Sequence, residues 1–350
     1  MKKLTVLIVF LFMFLAACSN NETNKAEENK ERESEIEEKP KVEEKYENVY
    51  PLTGIKTNDP VDQRIIGVMV NNHAKARPQT GLSQADIVFE ILAEGPITRF
   101  LALFQSELPE EIGPVRSARE YYFELAEDYG ALYIYHGAAQ MINDMIYSRG
   151  IEHLDGYYHD NDGKLFRRDL SRKAPHNSYL LVSGVNDEAT EKGYEMKTDY
   201  EPLPFLKEEE VEQLSGEMTD RVEIVYANNP KVTVEYEYNE DTEKYSRWND
   251  GEQTVELNTE APIQLDNIFI VEAEHQIIDD AGRRAVDLES GGAALLLQKG
   301  KVKQIEWKNE NGRILPVENG EIIGFVPGKT WVNVVPTDPG LEQSVTLHNN

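Results

Sequence analysis

A mixed α+β fold is predicted: an N-terminal α/β domain with a mixed sheet, followed by a C-terminal all-β barrel or sandwich. Three observations predict it. Between residues 51 and 200, short apolar runs alternate with helical repeats. From residue 220 to 350 the texture changes to short alternating strands separated by turn residues. Before both, residues 19–50 hold 11 Glu against 6 Lys and Arg and almost no apolar side chains. Such a segment cannot bury enough surface to offset the entropy of ordering.

The chain begins with a basic Met1-Lys2-Lys3 and an apolar run over 4–17. That is the build of a signal peptide, and the run is short for a membrane span. It ends in Leu15-Ala16-Ala17-Cys18, the pattern of a bacterial lipobox. This predicts cleavage before Cys18 and lipidation of Cys18, palmitate included. The membrane is then a partner through that lipid, and the protein sits on the outer face of the cell membrane. The sequence has 1 Cys, so no intramolecular disulfide can form. Residues 18–50 read as a disordered acidic tether. Formal net charge is −28, and loss of Lys2 and Lys3 takes it to −30 (−28 − 2). A surface this acidic excludes nucleic acid as a partner.

Within 51–200, the run 65–70 reads as a buried strand followed directly by Asn71, Asn72 and His73. Strands over 86–92 and 97–104 flank a Glu94-Gly95-Pro96 turn. Gly113-Pro114 breaks the chain. Ser117 and Glu120 have capping-box spacing, and the repeat Tyr122, Phe123, Leu125, Ala126, Tyr129 predicts a helix from 117 to about 130. A strand over 131–135 ends in His136-Gly137. A helix over 138–147, strands over 151–154 and 179–182, and a helix from Ser183 to Gly193 complete the region. The β region predicts strands over 222–226, 232–238, 267–271, 293–297, 301–307, 321–326 and 330–335.

Ligands of α/β sheets lie beyond the carboxyl ends of the strands. Asn71, His73 and His136 fall there. Arg116, Ser117 and Arg119 sit at the predicted helix start, where free N–H groups and the dipole favour an anion. The loop over 166–177 adds Arg167, Arg168, Arg172, His176 and Asn177 as a lid or wall. Guanidiniums fork onto phosphate or carboxylate oxygens. The favoured reading is therefore a non-enzymatic envelope protein binding an anionic ligand. A rival reading pairs the arginines with some of the 64 acidic residues, leaving a scaffold for protein partners that the sequence does not identify. A third is an enzyme on phosphate-linked envelope substrates. Asp86, Glu90, Glu94 and Asp169 are at hand for Mg²⁺, without diagnostic spacing. No nucleophile motif occurs, and no cofactor or resident metal is expected. Tyr121, Tyr122, Tyr133, Tyr135, Tyr157 and Tyr158 flank the same stretches. Core packing accounts for most of them, with an aromatic wall for a sugar or lipid head group as the alternative.

Several phrases resemble the YerB family of Gram-positive lipoproteins. They are Val70-Asn71-Asn72-His73 with Ala76-Arg77-Pro78-Gln79, Gly81-Leu82-Ser83-Gln84-Ala85-Asp86-Ile87-Val88, and Ile97-Thr98-Arg99-Phe100. The phrase from Ile112 to Arg119, Ala174-Pro175-His176-Asn177 and Gly328-Lys329-Thr330-Trp331-Val332 also match. The resemblance covers most of the chain after the tether. It implies a lipid anchor and two domains of a type with no assigned biochemical function, and it gives no reaction.

Overall fold

Ile66–Asn71 (β1), Ile87–Leu92 (β2) and Thr98–Phe104 (β3) are buried at every position, with no polar alternation. Strands of that kind sit in the middle of a sheet covered on both faces. The chain continues through Glu111–Ile112 (β4), Glu120–Asp128 (α1), Leu132–Tyr135 (β5), Gln140–Arg149 (α2), His153–Asp155 (β6), Phe166–Arg168 (β7), Ser178–Leu181 (β8) and Val185–Glu191 (α3). It then runs through Arg221–Val225 (β9), Thr233–Asn239 (β10), Lys244–Asn249 (β11), Asn267–Ala273 (β12), Gly292–Gln298 (β13) and Lys301–Glu310 (β14). Arg313–Glu318 (β15), Glu321–Ile322 (β16), Thr330–Pro336 (β17) and Val345–His348 (β18) follow. These elements come from a computed structural model that describes residues 45–226 and 232–349. The expected signal peptide, Cys18 and the expected tether as far as residue 44 lie outside the described residues. Asn48–Val49 already pairs with Lys56–Thr57.

One 12-stranded sheet runs β16-β15-β14-β13-β12-β17-β2-β3-β1-β5-β6, with Glu217–Met218 added on β14. β17 is parallel to β12 on one side and to β2 on the other. The sheet therefore passes from the β region into the α/β region without a break. Helices α1 and α2 cover one face, where Tyr121, Phe123 and Ile146 join Met69, Leu103 and Val332 in one core cluster. The opposite face meets a second, 6-stranded sheet that includes β11-β10-β9-β18. There Val222, Tyr236 and Tyr245 pack with Val68, Phe100 and Trp331. The small sheet β4-β8-β7 and α3 cover the same face. The fold is thus mixed α+β, as expected, in stacked layers. The described sheets are open, so no closed barrel forms.

A buried ion pair ties the two large sheets together. Glu90 on β2 and Arg247 on β11 are both fully buried, 2.8 Å apart. The Glu90 carboxylate also accepts from Trp331 Nε1 at 2.9 Å and Thr98 Oγ1 at 2.8 Å. The guanidinium lies over the rings of Trp331 and Phe100, 4.7 and 5.3 Å from their centroids. Charges buried at this depth are tolerated only when paired and hydrogen-bonded in this way.

Candidate functional site

β1 and β5 are parallel neighbours, so their carboxyl ends share one edge of the sheet. Asn71 closes β1 and His136 directly follows β5. The stretch between Val115 and Ala118 is laid extended across these ends. Arg116 N–H donates to Met69 O at 2.9 Å, His136 N–H to Arg116 O at 3.0 Å, and Ala118 N–H to Gly137 O at 3.2 Å. This pinning corrects the expected helix start. Ser117 is not a cap, because the backbone of 116–118 is committed to strand-like pairing. Its Oγ donates to His136 O at 3.3 Å, and the helix begins at Glu120 with Arg119 in the cap position. Likewise the helix expected from Ser183 begins as a 3-10 turn, and α3 starts at Val185. Neither α1 nor α2 has a side-chain cap at its N-terminus. The Ala118–Gly137 hydrogen bond brings these two starts together.

Arg116 is the centre of the site. It is half-buried, and among the described residues its guanidinium has no hydrogen bond or ion pair. Burial pushes its pKa down to about 10, and the charge of Arg99 adds to the effect. Three imidazoles lie within reach of its charge. His73 and His176 stack at 4.5 Å between centroids. His73 Nδ1 accepts from Lys75 N–H at 3.1 Å, and Asn71 Nδ2 lies 2.9 Å from His176 Nδ1. An amide NH₂ only donates, so His176 accepts there and carries its proton on Nε2. His136 has Ser178 Oγ at 2.7 Å from Nδ1 and the Arg168 guanidinium at 3.1 Å from Nε2. Arg168 can only donate, which places the His136 proton on Nδ1. All three pKa values are lowered. Burial is the largest cause in each, and Arg116 is among the charges that add to it. Among the described residues the site thus holds an unpaired cation and three imidazoles whose pKa values are lowered.

The other expected residues divide. Arg168 reaches the site while paired with Asp160 at 2.6 Å, and it donates to Asn177 Oδ1 at 2.9 Å. Buried Asn177 in turn donates to Asp169 O and Arg172 O, bracing the loop. Arg172 donates to Ala76 O and Pro78 O at 2.6 and 2.8 Å, so it fastens that loop to the turn after β1. Two arginines leave the site altogether. Arg119 is buried and paired with Glu94, which also binds Arg99. Arg167 forks onto Glu111 and lies over the Tyr179 ring, on the strand face opposite Arg168. The four carboxylates considered for Mg²⁺ are engaged as well. Asp86 accepts from Gln105 and Ser106, Glu90 from Arg247, Glu94 from Arg99, and Asp169 from Ser171. Among the described residues no group of three or more His, Cys, Asp or Glu side chains is placed to hold a metal ion.

Two residues of the site were missed. Ser178, which fixes His136, follows Asn177 directly, but a serine opening a strand carries no signal by itself. Arg99, whose charge acts on Arg116, is a lone basic residue on an apolar strand, and that anomaly was visible. Broad surface grooves of 1080 and 1130 Å³ lie elsewhere, one near Glu272 and Leu341 and one near Tyr46 and Phe205. The Arg116 site is marked by its charge.

Residues 52–195 match the family model described as Protein of unknown function (DUF3048) N-terminal domain, and 222–332 match its C-terminal domain. The chain belongs to the DUF3048 family. A relative from Bacillus subtilis (strain 168), named Putative lipoprotein YerB, is 47% identical over 288 residues, or 82% of this chain and 86% of the relative. A solved structure described as a crystal structure of YerB protein from Bacillus subtilis superposes with a TM-score of 0.78 at 44% identity. It covers 86% of this chain and 100% of that one. In this DUF3048 chain the two matched regions meet inside one sheet, at the β17–β2 pairing. Among the described residues no helix is long and apolar enough to cross a membrane.

Proposed function

We propose that the protein is a lipid-anchored envelope protein, held on the outer face of the cell membrane through Cys18, that binds an anionic group at Arg116. The observation that carries this reading is the half-buried Arg116 guanidinium, which has no counter-ion among the described residues of a chain of net charge −28. Partly desolvating a cation beside a second one costs free energy. An acidic protein has ample carboxylates to offset that cost and, among the described residues, pairs none with Arg116. A phosphate or carboxylate would offset it, accepting from the guanidinium and from His176 Nε2, with the uncapped helix starts adding favourable potential. Binding without turnover is the better fit. Ser178 is the hydroxyl beside His136, and at 2% exposure it is shut away from any substrate.

The test uses the soluble chain from Lys45 onward. Thermal shifts are recorded against phosphate, polyprenyl phosphate and wall polymer, with and without Mg²⁺. A ligand that binds only the native state raises the melting temperature by mass action. The rise is expected in wild type and lost in Arg116→Ala. No rise with any probe would refute anion binding, and Mg²⁺-dependent product would replace it with an enzyme. The anchor is tested separately. Labelled palmitate should enter the wild type and not Cys18→Ser, and Cys18→Ser should leave the membrane fraction.

A further inference from the structure

The second sheet stops short of covering the first. Its last strand, β18, pairs with β9 on one side and with no described strand on the other. The large sheet meanwhile continues through β13, β14 and β15. Directly paired residues share a face of a sheet. Ala293, Glu306 and Val317 form one row across these three strands, and Leu295 and Gln304 form the next. Leu297 and Val302 follow on the same face and lie in the core with Val222 and Ile224. The covered face thus emerges from beneath the second sheet, with Ala293, Gln304 and Glu306 exposed on it. This uncovered part lines the 1080 Å³ groove near Glu272 and Leu341, and Val345 and Leu347 of β18 line the same groove.

The backbone of β18 is open on the free side. Tyr238 N–H donates to Asp220 O, one step beyond the paired residues Arg221 and Glu237. Antiparallel bonds alternate along a strand. Val222 and Ile224 therefore bond to β10, and Arg221 and Glu223 bond to β18 through His348 and Thr346. The N–H and C=O of Leu347 turn the other way. Val345 agrees with this phase, since its N–H goes to Leu341 O. The four residues of β18 include no Lys or Pro, which natural edges use to block pairing. The groove is also charged. Among the described residues Glu272, Glu306, Glu318 and Glu342 line it, and no Lys, Arg or His does. Glu318 pairs with Lys303, and the other three have no ion pair among the described residues.

We propose that this groove takes an extended basic segment of a partner protein, added to β18 as one more strand. Main-chain hydrogen bonds to Leu347 would hold it, and alternate side chains would select it. Apolar side chains of the segment lie over Ala293, Leu295 and Val317. Lysine or arginine meets Glu306 and Glu342. Charge disfavours the occupants nearest at hand. A second copy would pair a β18 that has no Lys or Arg, and would bring two sets of glutamates together. Residues 19–50 of the chain itself hold 11 Glu against 6 Lys and Arg. The groove shares no residue with the Arg116 site, so the two readings stand or fall separately.

The soluble chain from Lys45 onward is titrated with dye-labelled eight-residue peptides at physiological ionic strength, and binding is read by fluorescence anisotropy. A peptide of alternating Val and Lys is expected to bind at least about tenfold tighter than one of alternating Val and Glu. Glu306→Lys/Glu342→Lys should reverse that preference. The same charge change at exposed positions elsewhere, Glu201→Lys/Glu212→Lys, should leave it in place, which separates the groove from the general attraction of an acidic protein. Leu347→Pro removes the N–H that faces the groove and spares the bonds to β9, and it should weaken binding about tenfold. N-methylation of the peptide's backbone amides should do the same with no change to the protein. Equal binding of the two peptides, or a preference altered as much by the distant pair as by Glu306→Lys/Glu342→Lys, overturns the proposal. An N-methylated peptide that binds as well as its parent overturns the added strand. A wild type that dimerises, a Leu347→Pro variant that stays monomeric and no peptide binding would make β18 a self-pairing edge and overturn the partner.

Discussion

Arg116 and Arg119 stand three positions apart and do opposite work. Arg119 is a buried partner of Glu94, and truncating it strands part of that carboxylate's charge. Arg119→Ala should cost about 1–3 kcal/mol of stability, with Arg99 limiting the loss. Among the described residues Arg116 has no partner to strand, so Arg116→Ala should change stability by less than about 0.5 kcal/mol. Urea unfolding of both variants checks the contrast. The histidines add a pH signature. Their folded pKa values lie below the ordinary value, so the unfolded chain binds more protons as pH falls through about 6.5, and stability falls with it. A bound anion favours the protonated rings, so affinity should move the other way. Sulfate keeps its charge across this range and isolates the protein's contribution. Its affinity should rise from pH 8 to 6, with proton uptake on binding. Affinity that is flat with pH would remove the histidines from the site. The sequence could name these residues because basic side chains are conspicuous in so acidic a chain. It could not say which of them had a counter-ion, because Glu94 and Glu111 become partners only once the chain has folded.

At the scale of elements, apolar alternation located most of the strands, and Gly130 and Gly150 marked the helix ends. The start of α1 was misread for a specific reason. Capping boxes act locally, and here hydrogen bonds to Met69, Gly137 and His136 hold 116–118 extended. Ser117→Ala should accordingly cost less than about 0.5 kcal/mol, where removal of a working cap costs about 1. A loss near the larger value would restore Ser117 to the cap. The pairing of Glu90 on β2 with Arg247 on β11 gives the opposite expectation. Glu90→Gln leaves a fully buried guanidinium without its counter-charge and should cost about 3–5 kcal/mol. Replacing both partners with apolar residues, as in Glu90→Leu/Arg247→Met, should cost less than the single change. The sequence did not reveal this pair, since Arg247 falls in none of the expected strands and Glu90 stood out only as one of the carboxylates at hand for Mg²⁺.

For the molecule as a whole, two regions of different texture were visible, and both match family models. The single sheet that joins them was not visible. Alternation tells which face of a strand is buried and says nothing about which strand lies beside it. β17 comes from the β region and lies against β2 from the other, and Trp331 reaches Glu90 across 241 positions of sequence. Cut at the connector near residue 215, neither half should unfold cooperatively alone, and mixing the halves should restore a single transition. A cooperative transition in either half would show that the halves fold independently. The same placement bears on how the protein is made. A chain that emerges N-terminus first presents the open edge of Ile87–Leu92 long before its neighbour Thr330–Pro336 exists. That edge is a hydrophobic strand with unmet backbone groups, the kind of surface that joins other chains. Correct assembly therefore depends on this strand being kept from other partners until synthesis is almost complete, and its most vulnerable period is set by the length of the chain still to come.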